Sequence, residues 1–274
     1  MINSRFDYKI QGSGIAVSCP DFDLSQTLDC GQAFRFSLSS GKWTGAALNK
    51  TLSVYEKDGT FVFENTTEAD FLSFWYKFFD FETDYSEIKK EFLSDPTMNE
   101  AIKAGSGIRI LRQDGFETLI SFIMSQNNNI PRIKGMLSRF VESFGGFPTP
   151  GEVADSGKEK LAPVRAGFRE KYILAAARAA ADGAVDFGFL QNAGSPIDEC
   201  RKMLTAISGV GPKVADCVLL FGCGKKESFP LDVWIKRILK HYYPDGFPFI
   251  DSPNAGVAQQ YLFYWGRELA EFRR

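Results

Sequence analysis

Apolar residues alternate with polar ones up to about residue 65. Thereafter they recur every third or fourth position. The first pattern predicts six short strands, at residues 8–10, 15–17, 33–36, 43–48, 52–55 and 61–63. Gly12-Ser13-Gly14, Ser39-Ser40-Gly41 and Asp58-Gly59 supply tight turns between them. Leu52/Val54 and Phe61/Phe63 alternate strictly, which predicts half-buried strands in an antiparallel sheet. Residues 23–28 interrupt the series as a short helix.

From Thr66 onward the period is helical. Phe71, Phe74, Trp75, Phe78 and Phe79 form one core stripe. Asp114 followed by Glu117 resembles a capping box with Asp in the Ser/Thr place, ahead of Phe116, Leu119, Ile120, Ile123 and Met124. That helix stops in the run Ser125-Gln126-Asn127-Asn128-Asn129, because Asn favours loops. Pro131 opens the next helix, and Gly145-Gly146 ends it. Residues 146–168 read as loop-rich, 172–181 as an Ala-rich helix, and Ser195-Pro196 as another helix start. The fold class is α+β: an N-terminal antiparallel-sheet domain over residues 1–112, then mostly helical structure over 113–274.

Composition narrows the function. The 274 residues carry 32 Lys/Arg against 34 Asp/Glu, a net charge of −2, which excludes a chain that coats nucleic acid by being basic throughout. The positive charge is concentrated: residues 101–140 hold 6 basic against 2 acidic side chains, and residues 201–240 hold 8 against 3. A single histidine, His241, excludes multi-His metal sites. The five cysteines show no metal-ligand spacing. With no signal-like start, they predict reduced thiols in a cytoplasmic, nucleoid-associated protein. No run approaches ~18 apolar residues, so no membrane partner is expected.

The first chemical signal is Leu204-Thr-Ala-Ile-Ser-Gly-Val-Gly-Pro-Lys-Val-Ala-Asp216. A helix ends at Gly209, Val210 inserts between two glycines, and Pro212 starts a helix reaching about Gly222. Backbone amides at Gly209, Val210 and Gly211, together with a helix N-terminus, suit a phosphate without any basic side chain. Lys213 falls in the first turn of that helix. The helix dipole opposes a cation there, so stability does not explain its placement, whereas a nucleophilic amine able to form a Schiff base does. Nineteen residues on, Pro230-Leu231-Asp232 precedes an apolar helix. Asp232 is either an N-cap or a carboxylate working with Lys213.

The order of helix-hairpin-helix, Gly/Pro-rich loop and Asp resembles the helix-hairpin-helix superfamily of DNA glycosylases, and most closely its 8-oxoguanine glycosylase/lyase branch. The motifs are Asp29-Cys-Gly-Gln-Ala-Phe-Arg35, Phe122-Ile-Met-Ser-Gln-Asn-Asn-Asn-Ile-Pro-Arg132, Gly209-Val-Gly-Pro-Lys-Val-Ala-Asp-Cys217, Pro230-Leu-Asp232 and Ala255-Gly-Val-Ala-Gln259. The resemblance implies a monomeric enzyme on double-stranded DNA containing 8-oxoguanine. Lys213 would attack the sugar of a flipped nucleotide, with Asp232 activating it and stabilising positive charge on the sugar. β-Elimination would then cut the strand. The Gly31 carbonyl would accept the N–H that 8-oxoguanine has and guanine lacks. Cys217 and Phe263 would sandwich the base, and Gln259 would read its Watson–Crick edge. Asn127 would fill the vacated stack, while Arg132 and Arg169 bond the partner base. Backbone carbonyls of Thr205, Ile207 and Val210 would hold a structural monovalent or divalent cation.

Several alternatives stay open. Phe263 and Cys217 also suit core packing, Gln32 and Arg35 suit bracing of the sheet, and Arg169 beside Glu170-Lys171 suits a solvated face. Two departures from the family pattern bear on DNA contacts. Trp234 stands where many relatives have His, so a phosphate contact is expected to be lost or replaced; Phe168 precedes Arg169 where many have Tyr, which predicts relaxed opposite-base choice. The iron–sulfur ligand pattern is absent after Asp232, so no cofactor is expected. A glycosylase for other oxidised or alkylated bases, or a non-catalytic DNA-binding module, are the competing functions. A pure backbone binder would need neither Lys213 nor Asp232.

Overall fold

The computed structural model describes residues 5–269, with Lys158 described in its backbone alone. The chain forms two compact units. One comprises residues up to 46, 51–112 and from 231 on; the other comprises 47–50 and 113–230. Residues 231–269, contiguous with the helical half along the chain, therefore cluster with the sheet. The compact units thus differ from the linear division at 112/113.

The first unit is built on six antiparallel strands: β1 (Asp7–Gln11), β2 (Gly14–Ser18), β3 (Phe36–Ser39), β4 (Lys42–Ala47), β5 (Lys50–Lys57) and β6 (Thr60–Glu64). They are ordered β1-β2-β6-β5-β4-β3. The third strand starts at Phe36; residues 33–35 form the approach to it. Half-burial holds for β5, where Leu52 and Val54 are buried and their neighbours are not. It does not hold for β6, in which Phe61, Val62 and Phe63 are all buried, because β6 lies between β2 and β5.

The Phe71–Phe79 stripe packs on this sheet. Phe63 meets Phe71 and Phe79 edge-on, with centroids 5.2 and 5.5 Å apart. Residues Phe71–Trp75 form a π-turn, so Phe71 and Trp75 are buried while Phe74 turns half outward. Helices Leu24–Leu28, Tyr85–Phe92, Pro96–Ala104, Val233–Tyr242 and Ala255–Glu268 also belong to this unit.

The second unit is helical. Helix Pro212–Gly222 packs against Gly115–Ser125, where Phe122 stacks on Phe221 at 5.6 Å. Asp114 caps the latter by accepting the Glu117 N–H at 2.8 Å. The expected capping box is only half formed, because the Glu117 carboxylate accepts the Leu48 N–H at 2.5 Å instead. The passage at 146–168 is not plain loop: it contains Pro150–Ala154, Lys158–Leu161 and two short 3-10 turns, Ala162–Val164 and Gly167–Arg169. Helices Glu170–Ala181 and Ile197–Thr205 follow, the latter starting just after Pro196, which occupies its N-cap.

Candidate active site and DNA-contacting loops

In the second unit, helix Ile197–Thr205 ends early and residues 206–211 turn into helix Pro212–Gly222. The Ile207 carbonyl accepts the Val210 N–H at 3.0 Å, closing the tip. The two glycines differ in what they require. Gly209 has φ +86°, and a Cβ there would sit 2.2 Å from the Tyr172 ring. Gly211 has ordinary φ and nothing within 4 Å of a Cβ, so the space beside it is open to an approaching backbone.

Lys213 stands in the first turn of that helix, half-buried, with Nζ 5.0 Å from the Phe122 ring centroid. Cys217, one turn on, is buried.

Asn127 is exposed at φ +45° in the loop after Gly115–Ser125. Gln126 donates to the Gly209 carbonyl at 3.0 Å, tying this loop to the hairpin. Asn129 caps Ile130–Phe144 by accepting the Arg132 N–H at 3.0 Å, leaving the Arg132 side chain exposed on the first turn. Arg169 does not lie on a solvated face: it is only 3% exposed. Its Nε donates to the Gln126 carbonyl at 2.9 Å, and its Nη2 donates to the Gln126 carbonyl and to that of Asn127, the latter at 3.1 Å. Burial, followed by the charge of Arg132, lowers its pKa from the usual guanidinium value. Its guanidinium also lies 4.3 Å from the ring centroid of Phe168, which is 51% exposed.

In the first unit, Asp232 is the N-cap of Val233–Tyr242, and its Oδ1 accepts the Ile235 N–H at 2.8 Å. The capping reading is therefore met. Trp234 in the same first turn lies 5.6 Å from the Arg237 guanidinium.

Gly31, Gln259 and Phe263 are brought together. Gly31 has φ +81°, and a Cβ on it would lie 3.4 Å from Phe263 Cε1. Phe263 is half-buried, so it is not a core side chain. Gln259 is 4% exposed, and its Oε1 has no hydrogen-bond partner among the described residues. A buried acceptor left unpaired is unfavourable, and a ligand's N–H would satisfy it. Gln32 is buried and spans the carbonyls of Thr27 and Arg109 at 2.9 and 2.8 Å, bracing the Gly31 loop more than the sheet. Sequence reasoning missed Gln260, whose amide donates to the Cys30 carbonyl at 2.8 Å; its only signal was its place directly after the Gln259 motif.

Residues 14–119 match the family of 8-oxoguanine DNA glycosylase N-terminal domains, and residues 120–246 match the HhH-GPD superfamily of base-excision DNA repair proteins. The chain belongs to this family. It is 41% identical to MBOgg1, solved in complex with a low-affinity DNA ligand, with a TM-score of 0.89 over 96% of this chain and 98% of that one. The Clostridium acetobutylicum 8-oxoguanine glycosylase/lyase, solved with double-stranded DNA containing cytosine opposite 8-oxoguanine, is 34% identical, with a TM-score of 0.86 over 98% and 99% of the two chains. A Saccharomyces cerevisiae N-glycosylase/DNA lyase is 40% identical over 158 residues, which is half of this chain and 42% of the yeast protein's length. In this HhH-GPD protein strands β2 to β6 lie within the N-terminal family match, and the hairpin lies within the superfamily match.

Proposed function

We propose that this protein excises 8-oxoguanine from duplex DNA and then cuts the strand at the resulting sugar. The observation that carries the reading is Lys213, an amine in the first turn of the hairpin helix, where the helix dipole opposes a cation and the open space at Gly211 admits a DNA backbone.

The base leaves the stack before its glycosidic bond is reachable. Asn127, on its exposed left-handed turn, fills the gap, and Arg132 and Arg169 face the partner base. Gln259 and the Gly31 carbonyl read the flipped base, with Phe263 and Cys217 against its faces. Lys213 Nζ attacks C1′, the C1′–N9 bond breaks, and its electron pair leaves with the base. Asp232 accepts the proton lost from the amine and offsets positive charge on the sugar. The ring opens to a Lys–sugar imine. Loss of a C2′ proton then expels the 3′-phosphate, and water releases Lys213. The cation suggested at the hairpin carbonyls takes part in no step. The enzyme acts as a monomer, since a lesion has no two-fold symmetry to match.

The test uses a 5′-labelled duplex carrying 8-oxoguanine opposite cytosine. Strand cleavage without added alkali is the expected result. A product cleaved only after alkali would overturn the lyase step, and no product at all would overturn the base assignment.

A further inference from the structure

We propose that Gln260 is a positioning residue for lesion discrimination, fixing the Gly31 carbonyl against the helix that carries Gln259 and Phe263. The inference rests on the 8-oxoguanine reading above. Helix Ala255–Glu268 turns Gln259 and Phe263, four residues apart, to one side. Gln260 points instead at the loop before β3, and its Nε2 donates to the Cys30 carbonyl at 2.8 Å across 230 residues of sequence. The amide is 2% exposed.

The Cys30 carbonyl belongs to the peptide that enters Gly31, so this bond fixes the plane from which Gly31 departs. On the other side, Gln32 donates to Thr27 and Arg109 carbonyls and accepts the Leu111 N–H at 2.9 Å. Gly31 is thus held from both flanks at φ +81°, a conformation open to glycine. The second link between this loop and the helix, Arg267 Nη1 to the Asp29 carbonyl, is longer at 3.5 Å and exposed. Gln260 therefore sets the distance between two readers of one base: the Gly31 carbonyl and the unpaired Gln259 Oε1. One hydrogen bond separates 8-oxoguanine from guanine, and such a bond weakens steeply with misalignment. A small slide of helix against loop removes the discrimination while leaving the sugar chemistry in place.

The experiment compares, for each protein, the single-turnover excision rate on an 8-oxoguanine duplex with the cleavage rate on an abasic-site duplex. Loss of fold or of the nucleophile lowers both rates, whereas loss of base positioning lowers their ratio. Gln260→Met keeps the volume and removes the donor; its ratio is expected to fall about tenfold. Gln260→Glu covers the case in which the Met variant fails to fold. Its ratio relative to wild type is expected to be low at pH 8 and to recover as the pH falls, because the protonated carboxyl again donates to the Cys30 carbonyl. Ratios within twofold of wild type at every pH would overturn the inference. A wild-type protein that cuts abasic DNA but leaves 8-oxoguanine untouched would overturn the substrate reading, and the inference with it.

Discussion

The Arg169 guanidinium donates to the backbone carbonyls of Gln126 and Asn127. The side chain expected to face the partner base thus also holds the loop that carries Asn127, the residue proposed to fill the vacated stack. A third carbonyl, that of Ala166, accepts its Nη1 at 3.3 Å. Arg169→Ala would leave these carbonyls without that donor and is expected to lower unfolding stability by about 2 kcal/mol, measured by urea denaturation. Arg169→Lys is expected not to restore it, since an ammonium lacks the planar fork that spans three acceptors. An alanine variant as stable as wild type would reduce Arg169 to a base reader alone.

The hairpin glycines separate folding from binding. Gly209→Ala places a methyl 2.2 Å from the Tyr172 ring at φ +86° and is expected to lower the melting temperature sharply. Gly211→Ala meets nothing within 4 Å and is expected to fold normally while weakening duplex affinity at the hairpin tip. Equal melting temperatures for the two variants would contradict this division.

Asp232 is an N-cap, and substitution can part that role from the one proposed for it in catalysis. Asp232→Asn retains an oxygen to accept the Ile235 N–H, so stability is expected to change by less than about 0.5 kcal/mol, while excision falls at least about a hundredfold through loss of the charge. Asp232→Ala is expected to lose the cap as well, about 1 kcal/mol. Full activity in the Asn variant would leave Asp232 as a cap only.

Phe168 lacks a hydroxyl, and its exposed ring packs on Arg169. Excision rates opposite cytosine, thymine, guanine and adenine are therefore expected to lie within about tenfold of one another, a span equivalent to one lost hydrogen bond. A hundredfold preference for cytosine would contradict relaxed opposite-base choice.

The strands were legible because alternation and turn glycines are local signals. The hairpin helix was legible for the same reason, from Pro212 to Gly222. What escaped depended on distant partners. Phe74 leaves the stripe because a π-turn shifts the helical phase at Phe71–Trp75. Glu117 abandons its capping box for the Leu48 N–H, 69 positions away. The solvated face that Glu170-Lys171 offers as an alternative for Arg169 fails because a loop more than forty residues earlier buries the side chain. The return of residues 231–269 to the sheet unit leaves no trace in local pattern. Gly31, Gln259 and Phe263 were each marked by motif resemblance, but the amide linking their supports, Gln260 to Cys30, was visible only in three dimensions.

The proposed mechanism requires Lys213 to form a covalent bond with the deoxyribose that carries 8-oxoguanine in duplex DNA. Borohydride reduction during turnover tests it most directly. Wild type is expected to give a stable protein–DNA adduct whose DNA-bearing peptide contains Lys213, and Lys213→Gln is expected to give none. An adduct that persists in Lys213→Gln, or the absence of any adduct with a wild-type protein that excises the base, would contradict the account.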